Sequence, residues 1–370
     1  MIVYWMLLIV CLFLPEICGL YMKKYVIIEC DKKRSTPLFY FVIMSAYMII
    51  LIGLRSNYIG NDTMGYYNSY KNAASLSFTY LLNEEVSDKG FVFIQILFNK
   101  LHINFVGFNL IYALFNIVII SYLIYKKSNM PWFSYFLYIT FGFFVLEFTM
   151  VRQTLAMSVV VLAVLTDKNK TFKDFVKFAV LVLIAYTIHA SAIICIPIWF
   201  IRKIPFNNKT VIAFFVLIAA CYVFKSLVTG IVFNLAGNIS DKYEGYNSLG
   251  AENAGILLYL MILVSVIFGL FVSGFLRDKW NQTMFYMLCI MLVIFPAVQG
   301  GGAVMRAYYY FYIFMIIYIP NMLNSIDRGK DLPILMLVIM LYLILGLYQF
   351  YIAVTGNSNY IVPYQFFWQR

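Results

Sequence analysis

The stretch GFNLIYALFNIVIISYLIY, residues 107–125, decides the fold class. It carries no charged side chain, is long enough to cross a bilayer as an α-helix, and is followed at once by Lys126 and Lys127. Such a segment is typical of a membrane-spanning helix whose cytoplasmic end is marked by positive charge. Similar apolar runs lie at about 2–20, 37–54, 131–148, 153–166, 210–229, 254–276, 282–298, 307–323 and 332–353. The sequence therefore predicts an all-α polytopic membrane protein.

The composition excludes soluble classes of protein. Hydrophobic residues make up 64% of the 370 residues and charged residues 12%, whereas a soluble globular domain has about 45–50% and about 25%. No soluble fold of this size has enough interior to bury that much apolar surface. A soluble enzyme, a secreted disulfide scaffold, a disordered chain and a nucleic-acid binder are therefore excluded. The net charge of +11 reflects the excess of Lys and Arg that orients membrane spans.

Two segments are ambiguous as spans, because 91–101 is too short for a crossing and 173–201 is long for one crossing and short for two. The positive-inside rule resolves both if 91–101 does not cross and 173–201 forms two short membrane helices that fold back at His189. Both termini then lie outside, together with only these Lys and Arg residues: Arg55, Lys71, Lys89, Lys100, Arg152, Lys242, Arg306 and Arg370.

We therefore predict a single integral membrane domain over 1–370 with about 11 or 12 transmembrane helical segments. An outer-face loop region lies at 55–106, a membrane hairpin at 173–201 and an outer-face tail at 354–370.

Three arginines at the outer level oppose the positive-inside bias and need another explanation. Arg55 closes the second span, Arg152 lies between two apolar runs with almost no loop, and Arg306 begins a span after three glycines. Ionisable groups near membrane depth are functional candidates. The planar guanidinium fork suits phosphate oxygens, so the three arginines predict a site for a lipid-linked phosphate or diphosphate. The alternative is that each arginine reaches to lipid headgroups or caps a helix.

Two further outer residues are candidates for proton transfer. His189 marks the break in 173–201 and is either a general base or phosphate donor, or a partner for backbone carbonyls freed at the break. Asp62 lies in the turn Gly60-Asn61-Asp62-Thr63 and is either a base or sugar ligand, or ordinary turn chemistry.

Contacts to the glycan are predicted for residues beside these groups, namely Gln153, Tyr308, Tyr309 and Tyr364. No metal site is predicted, because the chain has 2 histidines and the outer carboxylates show no ligand spacing.

The order of these motifs resembles that of the EpsG-like, Wzy-type polysaccharide (O-antigen repeat-unit) polymerases of bacterial membranes. The matching stretches are Gly53-Leu54-Arg55, Gly60-Asn61-Asp62-Thr63 with Tyr66-Tyr67, Val151-Arg152-Gln153-Thr154-Leu155-Ala156, His189-Ala190-Ser191-Ala192, and Arg306 with Tyr308-Tyr309-Tyr310-Phe311. The resemblance implies a multispan, GT-C-like glycosyltransferase fold in the bacterial cytoplasmic (inner) membrane. It also implies transfer of a growing glycan from one undecaprenyl-diphosphate carrier onto another repeat unit at the periplasmic or exterior face, without a cofactor or metal.

In that reaction Arg55, Arg152 and Arg306 would neutralise charge on the diphosphate leaving group. Asp62 or His189 would orient the acceptor hydroxyl and take its proton, with Asp62 preferred as base and His189 as a diphosphate or sugar contact. One base suffices for direct displacement with inversion, whereas retention needs a second carboxylate close to the first.

The expected partners are the undecaprenyl-diphosphate-linked oligosaccharide donor and acceptor, membrane lipids and a chain-length regulator. The product is O-antigen, capsule or exopolysaccharide. Two alternatives remain open at this stage: an O-antigen ligase-like transferase, and a flippase or transporter of the lipid-linked glycan. The longest outer loop lies early in the chain rather than late, which disfavours the ligase, and the lack of an internal repeat disfavours the transporter.

Overall fold

A computed structural model describes residues 1–17, 38–166, 171–230, 255–298, 307–356 and 359–369. Within these ranges the chain is helical, and the one β-type pairing is an isolated antiparallel bridge between Arg55 and Phe366. The all-α class predicted from the apolar runs is therefore confirmed.

The described α-helices follow one another in this order: α1 (Ile2–Ile17), α2 (Leu38–Gly53), α3 (Thr63–Ala73), α4 (Lys89–Lys100), α5 (Phe105–Lys127), α6 (Pro131–Thr140), α7 (Phe143–Thr149), α8 (Val151–Thr166), α9 (Phe172–Ile188), α10 (Ile198–Ile201), α11 (Asn208–Val223), α12 (Ile256–Phe271), α13 (Lys279–Val298), α14 (Tyr309–Tyr312), α15 (Met315–Asn324) and α16 (Leu332–Thr355). Short 3₁₀ turns lie at Phe78–Leu82, Ala190–Cys195 and Phe275–Arg277.

Helices α5 and α16 are each long and apolar enough to cross a membrane. Helices α6 and α7 pass the same test together, but their axes differ by 47° across a short break. The predicted continuous span over 131–148 is therefore a broken helix. The break lies at Gly142, whose φ of 93° is accessible to glycine without steric cost.

Six further described helical segments are apolar but only 10–17 residues long. They are Ile2–Ile17, Leu38–Gly53, Val151–Thr166, Ala190–Ile201, Asn208–Val223 and Ile256–Phe271. The number of crossings, about 11 or 12 from hydropathy, stays a prediction.

The interior of the molecule is formed by the short central helices. Every residue of α6, α7 and α15 is buried. By contrast, α11 buries only Ile218, and α16 exposes about half of its apolar side chains. Exposed apolar faces of this kind suit helices that contact lipid.

The segment 173–201 folds back on itself at His189. Helix α9 ends there, and the following 3₁₀ turn and α10 return along it. The ring of Trp199 consequently lies 5.5 Å from that of Phe175 and 6.2 Å from that of Phe178. The segment 91–101 forms part of α4, which packs against α3 and the end of α9.

Positive charges predicted on the inner side meet at one end of the molecule. The Lys127 ammonium lies 4.2 Å from the centre of the Trp280 ring, and the Arg202 guanidinium lies 5.6 Å from it. Arg202 also donates a hydrogen bond to the carbonyl of Val164 in the last turn of α8. The first turn of α8, at the opposite end, carries Arg152.

Candidate active site

Three side chains from distant parts of the chain meet beside the start of α8. Arg152 Nη1 donates to Asp88 Oδ2 at 2.5 Å. Asp88 Oδ1 accepts a hydrogen bond from the Ala190 N–H at 3.3 Å and lies 3.9 Å from His189 Nδ1. Two predicted residues, Arg152 and His189, are thus brought together through a carboxylate that was not predicted from the sequence.

This cluster lies between the protein interior and the solvent. The side chains of Arg152, His189 and Asp88 are 38%, 18% and 10% exposed. Burial by itself raises the pKa of Asp88. The His189 ring, the Arg152 charge and the Ala190 N–H outweigh that effect, so the pKa lies below its usual range. Asp88 is therefore ionised at neutral pH and forms an ion pair with Arg152.

Asp88 has an unusual backbone conformation. It lies in the left-handed region, with φ 53° and ψ 46°, which is costly for residues with a Cβ although Asp tolerates it better than most. It occupies the N-cap position of α4, where an aspartate usually accepts a hydrogen bond from the first helical turn. It makes no such bond. Its carboxylate is directed to Arg152 instead.

Asp62 lies near the same cluster. It is exposed at the start of α3 and lies close enough to Arg152 to interact with it electrostatically. The Tyr66 ring, one turn further along α3, is centred 5.9 Å from the Arg152 guanidinium carbon. The predicted base candidates Asp62 and His189 therefore both lie near Arg152.

Arg55 lies in a different environment. It is fully buried, and its Nη1 donates to the carbonyls of Glu147 at 3.0 Å and Ile52 at 3.4 Å. Its guanidinium carbon lies 5.2 Å from the centre of the Phe148 ring. Nε and Nη2 are buried with no hydrogen-bond partner among the described residues. This position suits binding of the main chain, in contrast to the phosphate contact expected from the sequence.

Glu147 is a buried acid that was also not predicted. Its carboxylate accepts hydrogen bonds from Tyr112 at 2.6 Å, Tyr138 at 2.8 Å and Asn116 at 2.9 Å. Three donors and the nearby Arg55 charge offset the cost of burying a carboxylate. The sequence signal was present, since Glu147 is the one charged residue within the apolar run 131–148.

The Glu147 network extends to the helix that carries Arg152. The hydroxyl of Tyr112 lies 2.5 Å from that of Thr154 in the first turn of α8. Arg55, Glu147 and Tyr112 thus form a buried network that contacts the first turn of α8, the helix that carries Arg152.

A comparison with known families settles the class of protein. The model of the EpsG family matches residues 38–366, nearly the whole chain. The chain belongs to the EpsG family. This is a family of Wzy-like polysaccharide polymerases, and its general role is polysaccharide polymerisation in membranes. No curated protein and no solved structure is significantly similar to the chain.

The other site residues predicted for this EpsG-family protein lie apart from the cluster or outside the described ranges. Gln153 is buried within α8. Tyr364 donates to the Leu51 carbonyl at 2.9 Å and so fixes the C-terminal tail onto α2. Arg306 lies outside the described residues.

Tyr308 and Tyr309 belong to a second region of this EpsG-family protein. Tyr308 is buried and stacks on Tyr309 with ring centres 4.4 Å apart. Tyr309 lines a cavity of about 270 Å³ beside the break between α6 and α7, together with Gly142 and Gln349. Among the described residues, no group of three or more His, Cys, Asp or Glu side chains could hold a metal ion.

Proposed function

We propose that this chain polymerises lipid-linked oligosaccharides. It transfers a glycan from an undecaprenyl-diphosphate carrier onto the next lipid-linked repeat unit at the outer face of the bacterial cytoplasmic membrane. The observation that carries the proposal is the cluster of Arg152 with Asp88, His189 and Asp62, in a protein of the EpsG family. Arg152 and Val164 lie about 18 Å apart along α8, so the cluster and the Arg202 contact occupy opposite ends of this helix.

The chemistry of the cluster suits this reaction. The acceptor hydroxyl oxygen attacks the anomeric carbon of the donor, its proton passes to Asp62 or His189, and the bond from that carbon to the diphosphate oxygen breaks. The diphosphate leaves with the bonding electrons, and the Arg152 fork stabilises its charge. We propose that Arg306 contributes to the same diphosphate site. Arg55 acts from the interior by holding the main chain at Glu147.

We propose inversion at the anomeric carbon. Asp88 is engaged by Arg152 and the Ala190 N–H, which leaves Asp62 as the exposed carboxylate of the cluster. A single proton acceptor supports direct displacement, whereas retention requires a free carboxylate nucleophile as well. The arginines supply the positive charge that the leaving group requires, so we propose a reaction that needs neither a metal nor a cofactor.

The test uses the purified full-length protein in lipid nanodiscs with undecaprenyl-diphosphate-linked oligosaccharide. Products longer than one repeat unit support polymerisation. Transfer only to a different acceptor, such as lipid A core, indicates a ligase. Movement of unchanged substrate across vesicle membranes indicates a flippase.

The arginine assignment is tested in the same assay. Arg152→Lys keeps the charge but loses the planar fork, so chain extension should fall at least about tenfold. Arg277→Lys, at an exposed position on the predicted inner side, is the matched control. This variant should extend chains at the wild-type rate. If Asp62 takes the proton, Asp62→Asn should abolish turnover while substrate still binds, and His189→Gln should weaken substrate binding more than it lowers the rate. The reverse pattern would assign the proton to His189.

A further inference from the structure

Asp88 binds the Arg152 guanidinium, which is the group that an anionic substrate would need. Its Oδ2 lies 2.5 Å from Arg152 Nη1, at a position that a phosphate oxygen could occupy instead. Asp88 is the more buried of the pair, whereas the Arg152 side chain is 38% exposed. The carboxylate therefore reaches the arginine from the protein side and leaves the outer side open to a ligand.

The packing at the start of α4 holds Asp88 beside Arg152. The strained left-handed backbone at Asp88 persists although α4 loses its N-cap hydrogen bond. Two residues later, Gly90 packs directly on Thr187 at the end of α9. A Cβ on Gly90 would lie 2.3 Å from Thr187 Oγ1. The start of α4 is thus fixed against α9. Backbone strain that the surrounding packing maintains is often found at functional sites.

Asp88 also has a second set of partners. Its other oxygen, Oδ1, accepts the Ala190 N–H and faces His189 Nδ1 at 3.9 Å, which is within ion-pair reach but too long for a hydrogen bond. If Arg152 is taken by another anion, the carboxylate still has a donor and an imidazole within reach.

We propose that Asp88 is an internal substitute for the substrate diphosphate, which binds Arg152 in the empty enzyme and is displaced when the substrate arrives. The inference rests on the proposed function to the extent that Arg152 binds a diphosphate. A diphosphate carries more charge and more acceptor oxygens than one carboxylate, so it displaces Asp88.

The displaced carboxylate then acts on His189. Asp88 keeps its hydrogen bond from the Ala190 N–H and moves closer to His189, so that it accepts the Nδ1 proton of His189 as a hydrogen bond. This orients the ring and leaves Nε2 as a proton acceptor. The acceptor hydroxyl proton passes to Nε2, its oxygen bonds to the anomeric carbon, and the diphosphate departs with the electrons of the broken bond. Asp88 is a positioning residue in this scheme, and substrate binding itself prepares the base.

A purely structural ion pair makes the opposite prediction. If Asp88 only holds α4 against α8 and α9, its removal disturbs Arg152 and weakens anion binding. If Asp88 competes with the substrate, its removal strengthens anion binding and still lowers turnover.

The experiment measures binding of inorganic pyrophosphate to the full-length protein in phosphatidylcholine nanodiscs by calorimetry at fixed ionic strength. Asp88→Asn keeps the shape of the side chain and tolerates the left-handed backbone. It should bind pyrophosphate about two- to fivefold more tightly than the wild type, the factor expected for loss of a partly exposed ion pair. Asp88→Gly, which relieves the backbone strain, should change the affinity in the same direction.

The matched control is Glu85→Gln. It removes the same unit of charge from an exposed position in the same loop, so it should leave the pyrophosphate affinity unchanged. With lipid-linked oligosaccharide, Asp88→Asn should extend chains about 10²-fold more slowly, because His189 loses its orienting partner.

Equal or weaker pyrophosphate binding by both Asp88 variants overturns the proposal, as does failure of both variants to fold. Tighter pyrophosphate binding without extension of any lipid-linked glycan by the wild type would support the displacement and refute polymerisation. Extension by the wild type with unchanged binding by the variants would refute the displacement alone.

Discussion

Glu147 is a buried charge whose hydrogen bonds connect the helices next to the candidate active site. It is 3% exposed and satisfied by hydroxyl and amide donors from α5 and α6. Arg55 binds its main-chain oxygen and provides the opposite charge. Removing either charge takes away the electrostatic compensation of the other, which is costly because a charge in the interior is poorly solvated.

We therefore predict that Glu147→Leu and Arg55→Met each destabilise the protein by about 3–5 kcal/mol. The double variant should lose less than the sum of the two, because both buried charges are gone. Thermal unfolding in detergent measures all three, with Glu84→Gln at an exposed position as a control expected to change stability by less than about 0.5 kcal/mol. Additive losses in the double variant would show that the two side chains do not interact.

At the scale of elements, the end of α7 positions the two segments that carry Asp62 and Arg152. The carbonyl of Glu147 accepts from Arg55, and the carbonyl of Phe148 accepts from the Thr63 hydroxyl at 3.1 Å. Thr63 follows Asp62 directly, and α8 with Arg152 begins shortly after α7. The same turn of backbone therefore sets where Asp62 and Arg152 lie.

Gly60 packs closely against Phe148 at the end of α7. Its φ is 98°, and a Cβ there would lie 2.1 Å from the Phe148 carbonyl oxygen. Gly60→Ala should therefore displace the Asp62 loop and slow chain extension about 10²-fold, since small displacements of reacting groups are costly.

Gly65 is the matched control for Gly60. It lies in α3 with nothing within 4 Å of an added Cβ. Gly65→Ala should keep full activity and gain up to about 1 kcal/mol of stability from its higher helix propensity. Equal activity of the two variants would show that the Gly60 contact does not position the site.

At the scale of the whole molecule, the fold-back at His189 decides on which side every later loop lies. A single crossing by 173–201 would invert α11 and all that follows. The meeting of Lys127 and Arg202 at Trp280 agrees with the fold-back, since both are then inner-side residues.

Cysteine labelling in cells tests this arrangement. In a background without native cysteines, Glu85→Cys should react with a membrane-impermeant maleimide, because the loop 55–106 is predicted to lie outside. Lys209→Cys, which is also exposed in the structure, should react only after the membrane is permeabilised. Labelling of Lys209→Cys in intact cells would refute the hairpin.

Much of the fold was accessible from the sequence because hydropathy is a local property. The apolar runs and the break at His189 each depend on residues close together in the chain. Gly142 was the exception. A glycine inside an apolar run is compatible with a continuous helix, and the bend is seen only in the tertiary structure, where α6 packs on α1, α15 and α16 and α7 packs on α8.

The sequence by itself determined the membrane class, the family resemblance and the residue types of the site, with Arg152, Asp62 and His189 among them. Only the tertiary structure decided that Asp88 joins them and that Arg55 is buried beneath. Asp88 lies 64 residues from Arg152 and 102 from Ala190, and in sequence it is one of several carboxylates in a polar loop. Which of these carboxylates meets the arginine depends on how α4 packs on α9, and a pairing over such distances leaves no local pattern to read.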